Sequence, residues 1–170
     1  CAVSILRDLL AIKTFREHQA ESALRQQRQA LAEADATRAQ AQELLQRLLR
    51  EGHAMELSLY RELCARLVRL REIEDVQLTV AGLRQRESAQ LEALDAAERA
   101  VSAQQERLDA ARAAQQEAAR QKSKFVDLAR DFSAAELRES ERREDLEMEE
   151  VASLARDRED WQGNDLEEAA

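Results

Sequence analysis

Asp75-Val76-Gln77-Leu78-Thr79-Val80-Ala81-Gly82 is the stretch on which the reading of this chain turns, because it separates two long helical patterns. Val76, Thr79 and Val80 are β-branched and lose side-chain freedom in a helix, and Gly82 is the residue type that most often follows a helix end. A reversal over 76–82 is therefore expected, with helix 1 spanning about 3–75 and helix 2 about 83–160.

Upstream, apolar or small residues recur at steps of three and four through Leu6, Leu10, Ala20, Leu24, Leu31, Ala34, Ala41, Leu45, Leu48, Met55 and Leu59. That spacing is the a/d seam of a coiled coil, interrupted at Lys13, Glu17, Gln27 and Arg38. After Leu59 the apolar positions step by four to Leu63 and Leu67, then reach Leu70 and Ile73, a pattern that resembles a stutter. Downstream, a second seam runs through Leu83, Leu91, Leu94, Ala97, Val101, Leu108, Ala111, Ala118, Phe125, Leu128 and Phe132, with polar breaks at Gln104, Gln115 and Lys122.

Two seams and one break predict an all-α chain of two long helices forming an antiparallel coiled-coil hairpin, as a single elongated domain over 1–170. Folding about 76–82 sets Leu59 against Val101, Leu45 against Gln115 and Leu31 near Phe132, in arms of about 110 Å. Gly52-His53 is a competing turn, but it leaves the chain beyond about residue 100 unpartnered, and the seam passes through Gly52 to Met55. Past Phe132 the apolar signal thins to Leu137, Leu146, Val151, Leu154 and Trp161. Charge density rises there, notably in the acidic tract from Glu136 to Glu150, and this last part is expected to fray, with Gly163-Asn164 ending it.

Composition points the same way. There is no proline and there are three glycines in 170 residues, charged residues make up 36% and aromatics 3%. Such a chain suits a narrow seam rather than a thick core. A formal charge of −9 disfavours duplex nucleic acid as a partner. No apolar run approaches the roughly 20 residues of a membrane span, and no signal-peptide pattern stands at the start, so a cytoplasmic location is expected. Cys1 and Cys64 give neither metal-ligand spacing nor a redox pair. A lipid on Cys1, as in a periplasmic lipoprotein coiled coil, is the alternative that residue raises.

Catalysis needs converging groups in a desolvated concavity, which a two-helix hairpin does not offer. His18 and His53 have no nucleophile pattern beside them, and neither a phosphate loop nor an E-x-x-H motif occurs. No enzyme activity, cofactor or metal is expected. Binding surfaces are, because two segments carry apolar residues over a wider arc than one partner helix buries. The first is Ile5, Leu6, Leu9, Leu10, Ile12 and Phe15, with Arg7, Lys13 and Arg16 between them. Its alternative use is a larger core covered by a returning C-terminal segment carrying Trp161. The second is Met55, Leu57, Leu59, Tyr60, Leu63, Cys64, Leu67 and Val68, where Tyr60 has the amphipathic ring common in interfaces, or simply caps the core.

The opening LLAIKTFREHQAESAL, residues 9–24, resembles the start of the YscO/FliJ family of type III secretion stalk proteins through Leu10, Lys13, Arg16, Glu17, Ala20 and Leu24. The resemblance implies a non-enzymatic stalk or adaptor, peripherally associated with a membrane-embedded export apparatus. It implies as partners the secretion ATPase, the export gate protein and secretion chaperones. The ATPase-facing residues would be Arg7, Leu9, Leu10, Lys13 and Arg16, and the gate- or partner-facing ones Leu57, Tyr60, Arg61, Cys64 and Val68. The acidic 136–150 tract matches no family motif. A monomer is expected on this reading; a homodimerising coiled-coil spacer unrelated to any ATPase is the alternative.

Overall fold

The computed structural model describes residues 2–169, and two helices account for nearly all of them: α1, Ala2–Cys64, and α2, Leu70–Glu168. No strand occurs among the described residues. The two-helix antiparallel hairpin follows from the two seams, but it reverses at residues 65–69 and not at 76–82.

Two physical reasons decide the place of the reversal. The weak helix formers at 76–82 cost only a few tenths of a kcal/mol each, about 1 for glycine, which a helix packed along a partner overrides. Thr79 adapts by donating its hydroxyl hydrogen bond to the Asp75 carbonyl at 2.9 Å. No glycine has a positive φ, so Gly82 does nothing that requires glycine. Residues 65–73, in contrast, hold a helix-start signal. The Arg69 N–H donates to Glu72 Oε2 at 2.7 Å, and the Glu72 N–H donates back to the Arg69 carbonyl at 3.0 Å. This is the glutamate half of a capping box, with Arg69 at the N-cap and Glu72 at N3. Val68 and Ile73, both half-buried, take the positions of a hydrophobic staple around it. Arg66 closes the loop by donating to Glu72 Oε1 at 2.9 Å. What resembled a stutter at Leu63-Leu67-Leu70 is the chain turning round, and Leu67 stands fully in solvent.

The chain forms two compact units, His18–Glu117, and Cys1–Glu17 with Ala118–Ala170. In the first, the buried side chains are Leu24, Ala97, Gln104 and Leu108. Gln104 donates to the side chain of Gln27, and Gln90 donates to the Ala41 carbonyl at 3.0 Å. Leu45 and Leu49 line a groove with Leu91, so Leu45 lies by Leu91 rather than Gln115. Gly52 is neither a turn nor a helix end: it is buried mid-helix, and a Cβ there would stand 2.7 Å from Glu87 Oε1. The glycine lets the Glu87 side chain lie against α1, while Arg84 bridges Glu87 at 3.0 Å and Glu56 at 2.5 Å.

In the second unit Leu6 and Leu10 share a groove with Ala129 and Phe132, so Phe132 lies by Leu6 rather than Leu31. Lys13 places its ammonium 5.1 Å from the centroid of the Phe125 ring. Lys122 pairs with Glu17 at 2.8 Å. Here and in the first unit, polar residues that interrupt one seam meet polar or aromatic residues of the other. Each such layer costs stability, but a slipped register would bury the same groups unpaired, so the layers select one alignment.

Beyond this pairing α2 continues. Every residue from Ser140 to Ala169 is exposed, and the segment stays helical to Glu168 instead of ending at Gly163-Asn164. Glu139 pairs with Arg142 at 3.2 Å and Arg143 at 3.5 Å, the i,i+3 and i,i+4 geometry that supports a solvated helix.

Candidate partner-binding surfaces

The start of α1 has two faces. Leu6, Leu10 and Lys13 turn toward α2, as their groove and ring contacts show. Ile5, Ile12 and Phe15 lie on the opposite side of the helix, spaced by seven and three residues, and Phe15 is 61% exposed. Of the residues predicted to face a partner, Arg7 and Arg16 are exposed, whereas Leu9, Leu10 and Lys13 are half-buried. Arg7 borders the Leu6–Phe132 groove. The structure therefore divides the set: Arg7 and Arg16 are accessible, while Leu10 and Lys13 lie against α2. Trp161 does not cover this surface, being 75% exposed itself.

Leu57, Tyr60, Arg61 and Cys64 fall on one face of α1 at helical spacing, and all four are exposed. Val68 is half-buried and belongs to the staple that starts α2. Tyr60 lies within the electrostatic reach of Arg84, whose pKa is raised by its hydrogen bond to Glu87, then by Glu56 and, least, by Tyr60. Glu72 is shifted the other way: the Arg69 N–H, and after it the Arg66 guanidinium, hold its carboxyl below the ordinary glutamate range. Spacing assigned Leu67 and Leu70 to the seam; at the reversal both stand in solvent and add apolar area to this end. The signal that would have revealed them is the Glu72 and Ile73 pair, which fixes the helix start.

Among the described residues no group of three or more histidine, cysteine or acidic side chains is placed to hold a metal ion. Cys64 is a free, exposed thiol. Cys1, on which lipidation would depend, lies outside the described residues. No described helix is long and apolar enough to cross a membrane. These surfaces carry exposed apolar residues with arginines beside them, on the sides of α1 that do not pack on α2.

Comparison with known proteins supplies the context. No curated protein matches the chain significantly. Among solved structures, the chain is similar to the crystal structure of type III secretion protein YscO from Vibrio parahaemolyticus, with a TM-score of 0.81 and 23% identity, over 88% of this chain and 94% of that one. At that identity the likeness is one of fold. The family model described as Type III secretion protein YscO matches residues 6–154. With most of its length matched, the chain belongs to the YscO family of type III secretion proteins.

Proposed function

We propose that the chain is a non-enzymatic stalk or adaptor of a type III export apparatus, in which the start of α1 meets the secretion ATPase ring and the face near the reversal meets the export gate protein. The observation that carries this reading is the outward stripe of Ile5, Ile12 and Phe15 on a helix whose other side already packs on α2. An apolar stripe left in water after the core is satisfied is a docking surface, and Arg7 and Arg16 beside it suit an acidic rim. Leu9, Leu10 and Lys13 position that stripe. Leu57, Tyr60, Arg61 and Cys64, extended by Leu67 and Leu70, form the second surface, where secretion chaperones are also received, and Val68 supports it from within the staple. The protein works on the cytoplasmic side, held to the membrane apparatus by its partners and using no cofactor.

Mechanistically, one asymmetric chain within a ring of identical subunits touches them unequally. Where contact differs between nucleotide states, it shifts the ring's equilibrium by that differential affinity. ATPase turnover of the cognate ring tests this: saturating chain should change the rate, and Phe15→Ala should reduce the change. No effect of the parent chain would overturn the ATPase assignment. Tyr60→Ala should weaken capture of the export gate protein without loss of helix content, and a collapse of helix content would make Tyr60 part of the packing instead.

The outward stripe also suits a second copy of the chain, which gives the spacer reading its support. Light scattering separates the two, since a homodimer that persists at low micromolar concentration would occupy the surface assigned to the ATPase.

A further inference from the structure

The segment of α2 from Glu136 to Glu168 contains fourteen acidic and five basic residues. It therefore carries the entire formal charge of −9, and the remainder of the chain is balanced at 21 acids and 21 bases. Among the described residues no helix covers this segment from Ser140 on, and every residue from Ser140 to Ala169 is exposed. Along it Val151, Leu154 and Trp161 fall at steps of three and seven, the a/d spacing of a seam, with Arg158 at the remaining position. Glu150 and Asp157 flank that stripe at the positions where coiled coils carry their pairing charges.

We propose that this stripe is the half of a coiled-coil contact whose other half belongs to a basic protein: an amphipathic helix or groove with an apolar floor and a lysine- and arginine-rich rim. The charges along the stripe fix the occupant's chemistry. Glu139 is engaged by Arg142 and Arg143, but between Glu144 and Glu150 no ion pair forms among the described residues, so those carboxylates await outside cations. A second copy pairing segment to segment is disfavoured, because two such segments would bring −9 against −9. The inference is separate from the ATPase and gate assignments, which rest on other residues.

Trp161 is the only tryptophan of the chain, so the chain reports its own binding through tryptophan emission. The probe is a leucine/lysine amphipathic peptide of roughly three heptads. Saturable blue-shifting of the emission is expected, absent with a leucine/glutamate peptide of the same pattern, and at least tenfold weaker for Leu154→Glu. Leu154 is exposed, so that substitution leaves the hairpin folded. Equal binding of a scrambled leucine/lysine peptide would reduce the contact to charge alone and overturn the proposal. An emission shift that tracks the concentration of the chain without peptide would identify a second copy as the occupant and overturn it as well, as would no shift at all.

Discussion

Leu108 and Leu128 hold equivalent places in the sequence seam, yet the structure leaves Leu108 3% exposed and Leu128 52% exposed. Replacing each by alanine tests whether the observed alignment is right. Leu108→Ala removes three carbon groups from a dry site, about 2.4 kcal/mol at 0.8 kcal/mol per group. A cavity contribution adds to this, though a slender hairpin relaxes or admits water, placing the loss at roughly 2.5–3.5 kcal/mol, in the lower half of the range for buried leucine. Leu128→Ala removes side-chain surface that is half in water already and gains alanine's better helix propensity, so roughly 1 kcal/mol or less is expected. Urea titration followed by helical circular dichroism measures both, with the slope checked so that midpoints report stability. The corresponding fall in melting temperature for Leu108→Ala is roughly 5–12 °C for a chain of this length. Losses within about 0.5 kcal/mol of each other would refute the assignment of Leu108 to the core and Leu128 to the surface.

The pairing of Glu17 with Lys122 is tested by exchange: Glu17→Lys or Lys122→Glu alone should destabilise by about 1–2 kcal/mol, and the double swap should recover most of it in a double-mutant cycle. Gly52→Ala sets a gain of up to about 1 kcal/mol in helix propensity against displacement of a flexible carboxylate, so a change within about 1 kcal/mol is expected. Gly52→Leu should cost several times more, because its branched side chain meets Glu87 and the facing helix together; equal effects in thermal melts would show that no close approach exists there. Glu72 has a lowered folded-state pKa, so its stabilising effect is present above the ordinary glutamate range and is lost as pH falls through the folded value. Glu72→Gln should therefore be less stable than the parent at neutral pH and approach it in acid, and a gap that stays constant or widens in acid would contradict the capping role.

Helix content, two seams and their antiparallel pairing were legible because they depend on repeated residue types summed over many turns, and no single position decides them. Even the polar breaks were legible individually: Glu17, Gln27, Gln104 and Lys122 were marked as interruptions of their own seams. That they answer one another across the hairpin was not, since the alignment depends on where the chain reverses. The reversal was misplaced because β-branched residues and Gly82 were weighed by propensity, whereas one carboxylate at Glu72, satisfying the N–H of Arg69, outweighs them locally. Gly52 illustrates the same limit: its spacing showed that the seam passes through, but only the structure shows Glu87 lying over it. The outward stripe of Ile5, Ile12 and Phe15 is visible in the sequence as excess apolar width, and the exposure of Trp161 shows that no returning segment carrying it covers the stripe.

Every surface assigned here depends on where the chain doubles back, and cross-linking tests that directly. With Cys1 and Cys64 replaced by serine, Gln27→Cys combined with Gln104→Cys should be joined intramolecularly by a short bismaleimide, because those side chains meet across the hairpin. Leu31→Cys with Phe132→Cys, the pair that a reversal at 76–82 would bring together, should stay unlinked under the same conditions. A cross-link in the second pair and none in the first would contradict the account.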